Sequence, residues 1–229
     1  MSDQITNTYK YETHFHTAQT SFCGKVPAKQ AVRLYHKAGY TGIVVTDHYF
    51  RGFFDMQLFC SFDRKIDMYL KGYKLALAEG RKLGIDIHLG MEICFEENAN
   101  DYLVYGIDEA FLRKHIKLYA LTLKQFRELT AGQGIVIVQA HPFRPHMVPA
   151  PPSLLDGVEV YNGNPRHNSS NHLALKYAQE NNLIGLSGSD FHQPQDVARG
   201  GIMTNEKIPA DGFAGWILHN KEFDCLQTI

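Results

Sequence analysis

Near the N-terminus the chain reads Glu12-Thr13-His14-Phe15-His16-Thr17. Two histidines two apart on an extended segment project from one face of a strand, so both imidazoles can meet a single cation. That is half of a metal site. Candidates for the other half stand in Thr46-Asp47-His48, Gly90-Met91-Glu92, Ala140-His141-Pro142 and Gly188-Ser189-Asp190-Phe191-His192, each of which follows or closes a short run rich in Val, Ile or Leu. His14 and His16 offer neutral nitrogen ligands and Glu92 and Asp190 offer carboxylates; four such groups from three strand ends would close a site for Zn²⁺, Mn²⁺ or Fe.

Taken singly, each segment has a plainer role. His-x-His can arise by chance among twelve histidines, Asp47 can cap a turn, the His141 imidazole can bond backbone, Glu92 can sit on the surface and Asp190 can cap a loop. Their joint occurrence at successive strand ends is what these separate roles fail to explain.

The elements that must position them follow from apolar periodicity. Residues 9–16 read as a first strand, and Pro27 followed by Ala31, Leu34 and Ala38 predicts a helix stopped at Gly39. Thr41–Thr46 is an apolar run of the kind covered on both faces, with Asp47 and His48 at its C-terminal end. The aromatic segment 49–54 is expected to pack in the core more readily than to stack on a substrate ring. Ile66, Leu70, Tyr73 and Leu77 predict one long amphipathic helix over 62–83. Strands are expected at 85–93, 102–106, 134–140 and 158–161, with helices at about 109–117, 123–132 and 168–181 and a last run, 184–187, leading into Asp190. The segment 142–153 holds five of the nine prolines and should form a stiff loop walling one side of a pocket. About seven strands alternating with helices imply a mostly parallel sheet. No GxGxxG or phosphate-loop motif is present, and ligands at separate strand ends converge at one mouth in a closed barrel.

At 229 residues, with 23 Lys+Arg against 24 Asp+Glu, the chain can bury one full core over 1–229 and lacks the broad basic surface that nucleic acid demands. The N-terminus is polar and no apolar run reaches the roughly 20 residues of a membrane span, so a cytoplasmic protein with no membrane partner is expected. Four cysteines without a CxxC pair fit reduced thiols.

Glu-x-His-x-His-Thr, Thr-Asp-His, Gly-x-Glu, His-Pro, Val-Glu-Val-Tyr-Asn and Gly-Ser-Asp-x-His, in this order over about residues 12–192, resemble the PHP family, the polymerase and histidinol phosphatase domain. The resemblance implies a distorted seven-stranded (β/α) TIM-like barrel, α/β in class, with up to three divalent metals at the strand C-termini and hydrolysis of phosphate esters. By motif, His14, His16, Glu92 and Asp190 would hold the first metal, Glu92 would bridge to a second held by His141, and His48 with His192 would hold a third. Two departures stand out. Where many relatives carry a further histidine or aspartate after the first motif, this chain offers Cys23. Where some place a histidine after the fourth strand, it offers Asp108 or His115.

Hydrolysis of a phosphate ester needs charge neutralised on the non-bridging oxygens, a nucleophile near neutral pH and help for the leaving oxygen; a cluster of divalent ions supplies all three, with a bridging hydroxide as the expected nucleophile. No side-chain nucleophile is needed, in keeping with the absence of a GxSxG elbow. Asp47 is a candidate to orient His48 or handle a proton. Arg144 is the first candidate for substrate phosphate, followed by Arg51 and Arg199, because a guanidinium matches phosphate oxygens in a fork; His146 and His167 could line the same mouth. A small phosphomonoester is the simplest substrate. The alternatives are a phosphodiesterase or exonuclease acting on nucleotides or oligonucleotides, and a non-catalytic metal-binding barrel. An amidohydrolase is disfavoured because no strand end offers the lysine such enzymes commonly use.

Overall fold

The computed structural model describes residues 8–220 and 223–228; the polar start Met1-Ser2-Asp3-Gln4 lies outside them. Along the chain come β1 (Tyr9–Phe15), α1 (Ala28–Lys37), β2 (Gly42–Val45), β3 (His48–Tyr49), α2 (Arg51–Asp55), α3 (Phe62–Tyr69), α4 (Lys71–Leu83), β4 (Asp86–Cys94), β5 (Asp101–Tyr105), α5 (Glu109–Lys114), α6 (Leu123–Thr130), β6 (Val136–Gln139), β7 (Gly157–Asn162), α7 (Asn171–Glu180), β8 (Ile184–Gly188), β9 (Gly200–Thr204), α8 (Phe213–His219) and β10 (Asp224–Gln227).

The strands form one sheet in the order β10-β9-β1-β2-β4-β5-β6-β7-β8, with β3 pairing β4. The ring closes where the segment after β8 meets the end of β1: Phe15 bridges Phe191, the His16 amide donates to the Phe191 carbonyl (3.1 Å) and the Phe191 amide to the His14 carbonyl (3.1 Å). Seven strands, β1, β2, β4, β5, β6, β7 and β8, thus surround the core, as the resemblance implies. The continuous apolar runs of β2 and β6 are buried along their whole length, which is what a strand covered on both faces requires.

Two features differ from the expected alternation. β5 runs antiparallel to both β4 and β6, since only six residues (95–100) separate β4 from β5, too few for the crossover a parallel neighbour needs. Consequently the N-terminal end of β5, not its C-terminal end, faces the barrel mouth. The helix expected over 62–83 is split at Leu70 into α3 and α4. The Thr20 hydroxyl enters the junction, donating to the Tyr69 carbonyl (2.9 Å) and accepting from the Gly72 amide (3.3 Å). A side chain at Gly72 would clash with Thr17 Oγ1 and stand 2.7 Å from Asp47 Oδ2, so this glycine lets the loop after β1 dock against the helices.

The aromatic segment divides between two environments. Tyr49, Phe53 and Phe54 are buried in the main core, while Phe50 is half-buried at the mouth. In the C-terminal segment β9 pairs antiparallel with β1, and α8 buries Phe213, Trp216 and Ile217 in the second core cluster. Among the described residues no helix is long and apolar enough to cross a membrane.

Candidate metal centre

β1 and β2 end side by side, held by the Thr46 hydroxyl, which accepts from the Phe15 amide (2.9 Å). Glu12 ties the same strand to the end of β8: its Oε1 accepts from the amides of His14 (2.9 Å) and Ser189 (2.9 Å), and its Oε2 accepts from the Tyr35 hydroxyl (2.7 Å). Burial pushes the Glu12 carboxyl up to about 7, against the pull of these donors. The consequence is a fixed direction for His14 and His16, both fully buried.

Glu92 is the hub. Its two oxygens lie 3.1 Å from His14 Nε2, 3.3 Å from His16 Nε2, 2.7 Å from His48 Nδ1 and 3.2 Å from His141 Nε2. Asp190 Oδ1 adds contacts of 3.5 Å to His14 Nε2 and 3.6 Å to His16 Nε2. Among the described residues, His14 Nε2, His16 Nε2 and Glu92 Oε2 are buried yet make no hydrogen bond. Buried polar atoms without partners are costly, whereas donor atoms held about 2.0–2.1 Å from one tetrahedral ion lie roughly 3.3 Å apart. The donor set therefore fits a divalent cation.

Three further groups meet around this hub: Glu92 with Asp101 and His141, His14 with His141 and Asp190, and His16 with His48 and His192. Cys23 Sγ stands 3.2 Å from His48 Nε2 and 3.0 Å from His192 Nε2. Burial raises the Cys23 thiol, but its bonds to His192 and His48 outweigh it and bring it down to about 6. Burial likewise pushes Glu92 up, yet the His14 and His48 imidazoles facing it hold it well below the usual carboxylate range.

The ligand directions are secured from behind. His14 Nδ1 donates to Glu159 Oε1 (2.9 Å), which leaves Nε2 as the lone-pair nitrogen toward the hub. His16 Nδ1 lies 3.0 Å from Ser21 Oγ, which itself donates to Asp47 Oδ1 (2.7 Å). His141 and Asp190 adopt left-handed backbone, φ 30° and 49°; such strain persists where surrounding bonds impose it, here the His141 amide donating to Glu159 Oε2 (3.0 Å) and Asn164 Nδ2 donating to the Asp190 carbonyl (3.2 Å).

A model of the PHP domain matches residues 12–220. The chain belongs to the PHP domain family. No curated protein matches it. Among solved structures, this PHP domain is similar to a two-domain protein of Bacteroides vulgatus containing a predicted PHP-like metal-dependent phosphoesterase, at 20% identity and TM-score 0.64 over 96% of this chain and 65% of that one. It therefore spans about two thirds of that protein's length. It is similar to PsfC of Pseudomonas syringae at 18% identity and TM-score 0.67, over 97% of this chain and 92% of that one. An amidohydrolase of Chromobacterium violaceum, with bound sulfate and no metal, is similar at 16% identity and TM-score 0.53, over 82% of this chain and 89% of that one.

Within the PHP domain, His14, His16, His48, Glu92, His141, Asp190 and His192 all converge at one mouth, and Glu92, His48, His141, Asp190 and His192 line a cavity of about 290 Å³ together with Arg144, Arg166 and His167. Arg144 spans Ser169 Oγ (3.0 Å), Asn162 Oδ1 (2.7 Å) and Asp190 Oδ2 (2.6 Å). Other expectations need correction. Asp47 makes no bond to the His48 ring; its carboxylate accepts from the Thr17 amide (2.7 Å) and hydroxyl (2.8 Å) and from Ser21, so it acts on His16 through Ser21. Arg51 is largely exposed and pairs with Glu96, and Arg199 Nε donates to the Gly163 carbonyl (2.9 Å); neither lines the cavity, nor does His146. Asp108 caps α5, accepting from the Phe111 amide (2.7 Å), and the His115 ring packs 4.6 Å from Phe111. Asp101, Glu159 and Arg166 escaped sequence reasoning. Asp101 opens its strand rather than closing it, Arg166 has no motif, and Glu159 stands in the Val-Glu-Val-Tyr-Asn run, the one signal that could have found it.

Proposed function

We propose that this PHP domain is a metal-dependent phosphoesterase whose substrates are small phosphomonoesters. The observation that carries this is Glu92 with four imidazoles within 3.3 Å at the floor of a cavity of about 290 Å³. His14, His16, Glu92 and Asp190 would hold one ion, Glu92, Asp101 and His141 a second, and His48 and His192 with Cys23 a third; imidazole, carboxylate and thiolate suit Zn, Mn or Fe in differing degree. Divalent ions held there supply positive charge against phosphoryl oxygens and an activated water near neutral pH.

The remaining work falls to the chain's own side chains. Arg144, pinned by Ser169 and Asn162, turns part of its guanidinium to the cavity and would orient a phosphoryl oxygen while holding Asp190 in place. Glu159 fixes the His14 ring and the His141 backbone together. Thr17, Ser21 and Asp47 form a buried chain of bonds that fixes His16. The size of the cavity and the near-zero net charge of −1 favour a small ester over a polynucleotide, which needs a basic track. No lysine lines the cavity among the described residues, which disfavours the lysine-bridged chemistry of amidohydrolases.

The test is a comparison, on metal-reconstituted protein, of inorganic phosphate released from a panel of small monoesters with cleavage of bis-esters and labelled oligonucleotides. Phosphate release from monoesters at the higher kcat/KM supports the proposal. Cleavage confined to diesters would replace it with a phosphodiesterase, and no phosphorus–oxygen cleavage at all would end it.

A further inference from the structure

A second cavity, of about 360 Å³, opens beside the first, and the two share Cys23, His48, Glu92 and Asp101. Their characters differ. The first carries Arg144 and Arg166; the second is walled by Phe22, Phe50 and Cys94. Phe22 is 51% exposed although large apolar side chains are normally covered. One face of its ring stacks on the buried Phe53 (centroids 5.9 Å apart, 26° between planes), and Phe50 meets it edge-on (6.3 Å, 82°). Phe50 in turn stands edge-on to His48 (6.4 Å, 85°). The rings thus form a corner that begins at the ligand cluster and leaves Phe22 uncovered.

In an in-line displacement the organic group departs on the side opposite the attack. A phosphoryl group over the shared residues, with its free oxygens toward Arg144, would set the ester group toward the aromatic corner. Resting on the phosphomonoesterase reading of the same site, we propose that Phe22 and Phe50 form the subsite for the alcohol portion of the substrate, and that this portion carries a flat aromatic or heteroaromatic ring. A ring can offset-stack on Phe22 and meet the edge of Phe50, the arrangements aromatic pairs prefer. A polyol would lose water from its hydroxyls there, with only cysteine sulfurs and the ligand cluster itself in reach, a desolvation cost without return.

The test separates this subsite from the chemistry. Affinities of metal-reconstituted protein for benzylphosphonate and methylphosphonate, neither of which can be hydrolysed, are measured by calorimetry for the native chain, Phe22→Ala and Phe22→Leu. Benzylphosphonate is expected to bind about tenfold tighter or more, in line with an aromatic contact worth about 1.4 kcal/mol. Phe22→Ala should bring the ratio near one, and Phe22→Leu, which keeps apolar area without a ring, should give an intermediate value. Equal affinities in the native chain, or a ratio unmoved by Phe22→Ala in folded protein, would overturn the subsite. Benzyl phosphate given to the same preparation distinguishes the two claims: selective binding without phosphate release would sink the phosphomonoesterase reading alone.

Discussion

His14 Nδ1 donates to Glu159 Oε1 across 2.9 Å, with both side chains fully buried and 145 positions apart in the chain. The other oxygen of Glu159 accepts from the His141 amide (3.0 Å) and from Asn162 Nδ2 (2.9 Å). One carboxylate therefore holds the His14 ring and the His141 backbone, two of the histidines around Glu92. Partners behind metal-binding histidines commonly contribute about 10- to 100-fold in affinity, so Glu159→Gln should weaken divalent-ion binding by that factor in a competition titration against a chromophoric chelator. Unchanged affinity in a folded variant would show that Glu159 serves packing alone.

Asp101 and Asp108 stand at opposite ends of the β5 region. Asp101 lies with Glu92 and His141, whereas Asp108 caps α5. Asp101→Asn should lower the number of ions bound per chain by one in elemental analysis. Asp108→Asn should keep full metal content and change stability by no more than about 1 kcal/mol, a capping effect. The reverse pattern would mean that the polarity of β5 has been misassigned.

That pair also marks where sequence stops being legible. The histidine- and carboxylate-bearing ends of β1, β2, β4, β6 and β8 are legible because parallel strands present their C-termini to one mouth, where these residue types gather. Strand direction within a barrel is not written in apolar periodicity, so Asp101, the first residue of an antiparallel strand, is invisible there while Asp108 and His115 draw notice. The split at Leu70 escaped for a similar reason: the spacing of Ile66, Tyr73 and Leu77 is helical on both sides, and only the tertiary intrusion of Thr20 breaks it. Arg144, ranked first because it closely follows His141, lines the cavity, but Arg51 and Arg199 are drawn off by Glu96 and the Gly163 carbonyl, partners that no spacing rule foretells.

Cys23 sits between His48 and His192 on the outer side of the cluster. Protein loaded with Co²⁺ is expected to show near-ultraviolet thiolate-to-cobalt absorption that Cys23→Ser abolishes, because thiolate is a soft ligand with a low-energy charge transfer and hydroxyl is not. Identical spectra for the two proteins would remove Cys23 from the ligand set.

Arg144 holds three acceptors at 2.6–3.0 Å in a planar fork. A lysine cannot reproduce that fork, and charged hydrogen bonds contribute about 1.5–3 kcal/mol each. Arg144→Lys should therefore lower kcat/KM for a phosphomonoester by about 10- to 100-fold, while Arg51→Ala should leave it within about twofold. Equal losses in steady-state assays would contradict the placement of the two arginines.

His88 lies away from the mouth, buried against Tyr11 (6.2 Å) and Phe213 (5.4 Å). Burial depresses its imidazole to about 4, opposed by Asp86 and by the Ala210 backbone. The unfolded chain binds this proton at about 6.5 and the folded chain only near 4, so the neutral ring's contribution is complete above about pH 6.5 and is lost as pH falls toward 4. Native protein should lose on the order of 3 kcal/mol more than His88→Phe between pH 7 and pH 4 in urea unfolding. Parallel stability curves would refute the assignment.

The most direct test of the central claim is inorganic phosphate release from a small phosphomonoester, measured as metal-free protein is titrated with Zn²⁺, Mn²⁺ or Fe²⁺, for the native chain and for Glu92→Gln. Activity that rises with bound metal in the native chain, and falls by several orders of magnitude with reduced metal content in Glu92→Gln, is the predicted result. Phosphate release that is indifferent to metal, or that survives the loss of Glu92, would contradict it.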